Sequence, residues 1–512
     1  MSSPSPSVEK TIPSNNLRWW VLATVIFGTF LGRLDQTVVN LALPKIISDF
    51  SITVADAAWI STAYILANAI FVPIWGKLGD TAGRKRIYLI GFIGFIIASG
   101  LCGLAWNLPS MIVFRVIQGF AVSADYPTAM AILAIVFTDA KERAQALGLW
   151  SASFAVASVF GPLIGGPLID NFNWRAIFFM NVPLGVIGLF MAIIFVNESV
   201  GEKRQTHFDW KGASVLAVAL SALTLVLDRG QTWGWLSWGS VASYIIAAVF
   251  MGWFLHIEAH ETEPIVDLKF FKIGAFVITL VNSFIVFMAM MGSIFLIPIF
   301  AETYLGYDAT KTGFLFIPMA LCLMIAATLG GRLVGKVQAR WVIFWGTIVA
   351  SFAFYLFTFL DPRSTALDIM GPMAIMAAGL GFGMAQRTNI VATVVPHEEV
   401  GEASAILALV RNIAGAFGVA LFSTILDNVT NTNVLRIAQQ SVLHAAGAGA
   451  QAMQQFIQLI ILKAEVDAYA YVYGVAAVVI FFGAFTALFI RLPHELEKKN
   501  DGDTHHSAMA FD

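Results

Sequence analysis

The chain has 512 residues, of which 58% are hydrophobic and 12% charged, with a formal net charge of −2. A soluble domain carries about 25% charged residues, so this composition excludes an ordinary water-facing surface, and the near-neutral balance gives no sign of a nucleic-acid partner. A mean hydropathy of +0.78, with charges clustered between long apolar runs, predicts an all-α membrane protein crossing the bilayer many times.

Residues 1–17 are rich in Ser and Pro and lack an apolar core, which predicts a disordered cytoplasmic tail. The apolar run from Trp19 is too long for a cleavable leader and has no small-residue cleavage site near its end, so it is expected to remain as the first span. A helix crosses the hydrocarbon core in about 20 residues. With that ruler fourteen spans start near Trp19, Ala57, Arg86, Pro109, Arg143, Arg175, Trp210, Gly239, Gly274, Thr310, Arg340, Asp368, Ala403 and Ala468. Lys and Arg in the connections divide 19 against 7 between the two faces. The richer face is therefore cytoplasmic. Both termini fall on it, which requires an even number of spans.

GKLGDTAGRKR (Gly76 to Arg86) between spans 2 and 3 is echoed by GRLVGKVQAR (Gly331 to Arg340) between spans 10 and 11. This repeat predicts a six-helix half over 18–200, inserted helices 7 and 8 over 201–270, and a second half over 271–492, with a polar tail over 493–512. Transporters built from such halves place their site at the midplane between them. The stretch of about 427–467 is expected to be an extracytoplasmic connection carrying one or two amphipathic helices. Trp19, Trp20, Trp233, Trp235 and Trp238 sit near span ends and read as interfacial anchors. Cys102 and Cys322 lie in apolar runs and read as inert buried thiols. His505 and His506 carry no assigned role.

Five motifs in order carry a family resemblance: LDQTVVNLALP (Leu34 to Pro44), GKLGDTAGRKR, RVIQGF (Arg115 to Phe120), GPLIGGPL (Gly161 to Leu168) and NWRAIFFMNVPLG (Asn173 to Gly185). Together they resemble the major facilitator superfamily, and within it the fourteen-span drug:H⁺ antiporters of the EmrB/QacA-like group. The resemblance implies a major facilitator fold of two six-helix halves plus two inserted helices. It implies proton-coupled efflux of amphiphilic compounds by alternating access, with the proton gradient as energy source and no cofactor, and a multi-pass place in the inner membrane. It also implies that the loop between spans 13 and 14 meets a periplasmic membrane fusion protein and, through it, an outer-membrane channel. The alternative reading is H⁺-coupled uptake of a small organic anion or metabolite.

The motif residues have physical readings of their own. A carboxylate inside a membrane is costly and is a functional hypothesis by default, so Asp35 is the expected proton carrier. Arg115 lies at a similar depth and is its expected partner. Arg115, Gln118, Val122 and Asp125 share a 3–4–3 spacing, which places them on one seam of span 4. Gly76, Gly79 and Gly83 permit a tight turn, and Asp80 with Arg84 completes what the resemblance makes a cytoplasmic gate. Gly161, Pro162, Gly165 and Gly166 combine close packing with a bend in span 5, and the resemblance associates this motif with antiport. Arg411 matches an arginine usual in the group.

Arg33, Asp125 and Arg387 stand where the group usually has neutral residues. Arg33 and Asp35 lie about 200° apart on their helix and cannot share a face. Asp125 and Arg387 are expected at similar depth, either paired across the central cavity in one state or contacting a charged substrate. A membrane enzyme would need clustered His, Cys or carboxylate ligands, or a Ser–His arrangement, within spans, and no nucleotide-binding loop is seen; a receptor or channel does not account for the repeat.

Overall fold

A computed structural model describes residues 15–137, 140–198, 209–261, 264, 266–334, 336–395, 400–440 and 450–491. Its helices are α1 (Asn15–Phe50), α2 (Val54–Ala82), α3 (Arg84–Gly103), α4 (Leu108–Val122), α5 (Asp125–Val136), α6 (Ala140–Asn171), α7 (Ala176–Phe195), α8 (Trp210–Trp233), α9 (Trp238–His260), α10 (Gly274–Tyr304), α11 (Ala309–Phe314), α12 (Phe316–Arg332), α13 (Ala339–Phe357), α14 (Ala366–Thr393), α15 (Val400–Gln440) and α16 (Ala450–Thr486). Helix is the expected form because lipid offers backbone groups no partner. Taking α4 with α5 and α11 with α12, twelve helices among the described residues are long and apolar enough to cross a membrane. α6 and α8 lie outside that set; α8 carries a shorter apolar stretch, Lys211–Leu223. The expected tails, 1–17 and 493–512, fall outside the described residues apart from 15–17, which begin α1.

Two bundles arise, α1–α7 and α10–α16. In the first, α1 packs on α6 and α7, α2 on α4, and α3 on α4 and α7; in the second, α10 packs on α15, α14 on α12 and α13, and α16 on α13 and α15. Small residues set several of these contacts. A Cβ on Gly119 would lie 2.5 Å from the Tyr64 carbonyl, and one on Gly381 would lie 3.0 Å from the Leu323 carbonyl. The bundles meet where α2 packs on α15, α6 on α11 and α12, and α1 on α10. α8 and α9 pack on each other, and α8 rests against α2 and α15. Large apolar side chains such as Phe190, Ile194, Trp345 and Phe482 stay exposed on the outer surface, as a lipid-facing surface requires. Among the expected anchors, Trp238 is 89% exposed and Trp20 53%.

Three expectations need correction. Span 4 is not one straight helix: it divides after Val122 and resumes at Asp125. Pro127 has no N–H to bond the Ser123 carbonyl four residues back, so the ladder breaks there. Span 10 divides at Leu315 in the same way, with Pro318 four residues after Phe314. The stretch 427–467 holds no separate amphipathic helices among its described residues. α15 continues to Gln440 and α16 already begins at Ala450, because neither 427–440 nor 450–467 contains a Gly or Pro to stop the helix. At about 1.5 Å per residue, the 41 residues of α15 reach about 60 Å, against a hydrocarbon thickness of about 30 Å.

Candidate functional site

Asp35 on α1 and Arg115 on α4 form a salt bridge of 2.7 Å, each side chain only 1% exposed. The arginine is held from several directions. Its Nε donates to the Ile60 carbonyl of α2 at 3.1 Å, its Nη1 also donates to Gln118 Oε1 at 2.6 Å, and its guanidinium lies 4.0 Å over the Tyr64 ring. The other carboxylate oxygen of Asp35 accepts from Gln118 Nε2 at 3.0 Å and from Asn181 Nδ2 of α7 at 2.6 Å. Gln118 Nε2 further donates to Ser99 Oγ of α3 at 2.8 Å. One carboxylate thus ties together α1, α2, α3, α4 and α7. Ionised Asp35 can only accept hydrogen bonds. Adding a proton removes the charge that holds Arg115 and turns one oxygen into a donor, so protonation must rearrange this junction.

The seam of α4 and α5 does face α1, but in two parts. Arg115 and Gln118 reach Asp35, whereas a Cβ on Gly32 would lie 2.6 Å from Val122. Asp125, beyond the break, accepts from Thr29 Oγ1 at 2.7 Å, and that hydroxyl accepts from Trp150 Nε1 at 2.9 Å. The Tyr88 hydroxyl also faces the Asp125 carboxylate. A cavity of about 20 Å³, lined in part by Gly28, Gly32, Gly91 and Asp125, adjoins it, large enough for a single water. Arg33, one turn along α1 from Thr29, reaches Gln36 Oε1 at 3.2 Å and acts on Asp125 as an opposite charge.

Asp125 and Arg387 are not paired in this structure. Asp125 is half-buried and Arg387 buried, each inside its own bundle. Arg387 is 1% exposed; its Nε donates to Asn282 Oδ1 of α10 at 2.8 Å and its Nη2 to Thr347 Oγ1 of α13 at 3.4 Å. Gly119 precedes Asp125 by the same six residues that separate Gly381 from Arg387, and both glycines touch the second crossing of their bundle. The two charges therefore occupy equivalent places in the repeat, each turned toward its own first and third crossings. Arg411 on α15 donates to Thr388 Oγ1 at 3.3 Å and lies 5.0 Å over the Phe287 ring.

The glycine motifs act by close approach. Gly76 and Gly79 face Pro127 and Thr128 of α5, where added Cβ atoms would stand at 3.3 and 3.4 Å. Gly83 has φ +105° and turns the chain between α2 and α3. Glu198 then closes the turn, accepting from the backbone N–H groups of Lys85 and Arg86 at 3.1 Å each. Arg84 lies in the turn beside Gly79. The side chains of Asp80 and Pro162 lie outside the described set. Gly161 and Gly165 face Thr37 and Val38 of α1, while Gly166 faces the backbone of Thr310 in the other bundle.

Next to that contact Asp170, at the end of α6, accepts from the backbone N–H groups of Ala309 and Thr310 at 3.1 and 2.9 Å and from the Thr310 hydroxyl at 2.7 Å. This latch joins the bundles at the end of the molecule opposite the start of α1. Sequence reasoning assigned no role to Asp170, Glu198, Asn181 or Asn282. Asn181 and Asn282 were visible as isolated amides in apolar runs, but acids at helix ends such as Asp170 and Glu198 look like any solvated loop acid.

Two helical bundles meeting along a shared seam, with ionised side chains held at membrane depth, define a membrane transporter. The family model described as Major Facilitator Superfamily matches residues 25–419, and the chain belongs to that superfamily. It is 32% identical over 422 residues to the multidrug transporter protein MdtP of Bacillus subtilis, covering 82% of this chain and 77% of that protein. It is 30% identical over 404 residues to the multidrug export protein EmrB of Escherichia coli, covering 78% of each. Its fold is similar, at a TM-score of 0.66 and 18% identity over 94% of this chain and 100% of the other, to a bacterial homologue of the human lysosomal transporter Spinster in an inward-facing, unoccupied conformation.

Proposed function

We propose that this chain is a proton-coupled exporter of small amphiphilic compounds that works by alternating access, with Asp35 as the proton carrier and Arg115 as its counter-charge. The observation that carries the reading is the 1% exposed Asp35–Arg115 pair, whose carboxylate also receives Gln118 and Asn181. Breaking a buried pair by removing one charge costs about 3–5 kcal/mol. A proton arriving at Asp35 therefore has enough leverage to shift the packing of α1 against α4 and α7. MdtP and EmrB, both named for multidrug transport or export, support the substrate class.

α6 and α8 complete a count of fourteen crossings, and the Lys/Arg asymmetry places both termini in the cytoplasm of a cell whose inner membrane holds the protein. In that orientation the Asp170 latch closes the extracytoplasmic side, and the state is inward-facing. The proton gradient is the energy source and no cofactor takes part. α15 and α16 outrun the bilayer, and their protruding ends form the surface on which a periplasmic membrane fusion protein docks.

Reconstitution into proteoliposomes with an imposed pH gradient tests the reading. Amphiphile movement against an inward proton flux is expected, and Asp35→Asn abolishes gradient-driven movement. Movement that persists in that variant rejects Asp35 as the carrier; accumulation along with protons shows uptake instead.

A further inference from the structure

The second bundle holds two arginines at membrane depth that make no ion pair with a carboxylate among the described residues. Arg387 is 1% exposed and among the described residues has only neutral hydrogen-bond partners, Asn282 and Thr347. Its Nη1 is buried without a hydrogen-bond partner. Arg411 has one long bond, to Thr388, and its buried Nε has none. Each of these orphaned N–H groups is a donor of a charged group, the costliest kind to leave unmade in a low-dielectric setting. The two guanidiniums also act on each other as like charges, and Asp35, buried within the first bundle, is already paired with Arg115.

The surroundings indicate what is missing. Thr388, the hydroxyl partner of Arg411, is itself exposed, so the Arg411 end of the cluster is the accessible one. Close by, Asn412, the next residue on α15, meets Asn68 of α2 across the bundle boundary at 3.5 Å. Arg411 therefore lies at the seam between bundles, while Arg387 stands behind it within the second bundle. Phe287 forms an aromatic floor under the guanidinium. Phe284, three residues earlier and so on the same face of α10, continues that floor and packs on Phe417 of α15.

We propose that Arg411, backed by the charge of Arg387, binds the carboxylate headgroup of an amphiphilic anion whose apolar chain lies along the Phe287–Phe284 surface. The guanidinium fork matches a planar carboxylate with two parallel hydrogen bonds, while Thr388, whose hydroxyl donates to the Met384 carbonyl, holds the fork by accepting from Arg411. The occupant would satisfy the Nε of Arg411 and offset the like-charge repulsion, so the site selects anions over cations of equal length. The assignment deepens the export reading, since it names the substrate class of the same cleft, but it needs no proton coupling to be true.

The test is equilibrium binding of radiolabelled dodecanoate to the purified full-length protein in neutral detergent, without any gradient. Dodecanoate is expected to bind and to be displaced by unlabelled dodecanoate but not by dodecyltrimethylammonium. Arg411→Gln should weaken binding by about tenfold to a hundredfold, and Arg411→Lys, which keeps the charge but loses the fork, should fall between. Equal displacement by the ammonium compound overturns the proposal on the unaltered protein, whether or not the variants fold. A folded Arg411→Gln that binds like the parent also overturns it. Because binding is read without a gradient, failure of Asp35 as proton carrier leaves this result standing, and intact transport with no anion preference leaves the export reading standing.

Discussion

The two bundles repeat a backbone plan but carry opposite electrical designs. In the first, Asp35 is met by Arg115, Gln118 and Asn181, so its charge is compensated in place. In the second, Arg387 and Arg411 lean, among the described residues, on amide, hydroxyl and aromatic neighbours alone. Asp125 and Arg387 make the contrast sharpest, because equivalent positions of the repeat hold opposite charges. Protonation would cancel the negative half of a closed ion pair. An open cationic cluster responds to an anion. On the function proposed above, energy coupling belongs to the first bundle and cargo recognition to the second.

The largest test of this division is a charge swap. Asp125→Arg with Arg387→Asp should not recover the transport that either single change removes, since each residue is turned inward within its own bundle; recovery of vesicle uptake would restore a pairing across the cleft. Next comes the coupling junction. Arg115→Ala should destabilise the protein by about 3–5 kcal/mol in thermal or denaturant unfolding. Asp35→Asn combined with Arg115→Gln should regain most of that stability while gradient-driven transport stays absent. If the double variant transports, the pair is structural and the division fails.

A smaller effect concerns the latch. Asp170→Ala removes acceptors for three hydrogen bonds, and at about 1 kcal/mol each should shift the bundles toward the state open at that end. Spin labels on α6 and α11 should report a longer distance; an unchanged distance means Gly166 packing alone holds the closure. Smallest is Gly83→Ala. At φ +105° and with a Cβ 2.7 Å from Glu198, it should cost about 1–3 kcal/mol locally and slow the conformational cycle without altering dodecanoate affinity.

Much of this organisation was legible without coordinates. Long apolar runs must be helices in lipid, and an intramembrane Asp35 or Arg115 is too costly to be idle. The proline that divides span 4 could also have been used, since its missing N–H acts at a fixed distance of four residues. The resemblance of five ordered motifs to one superfamily pointed to the architecture, and the separation of Arg33 from Asp35 followed from helix geometry alone.

Tertiary structure decided which charges meet. One residue of helix turns a side chain by about 100°, so a pairing depends on how each helix is rotated and how deep it sits. Those quantities are set by contacts between distant segments, such as Gly119 against the Tyr64 carbonyl or Gly166 against Thr310. For that reason similar depth was a sound guide for Asp35 and Arg115, which meet, and not a sufficient one for Asp125 and Arg387, which are apart in this structure. The amino-acid sequence determined that ionised groups would be buried in a helical membrane protein; only packing determined that one bundle would compensate its charge and the other would leave its arginines waiting for a partner.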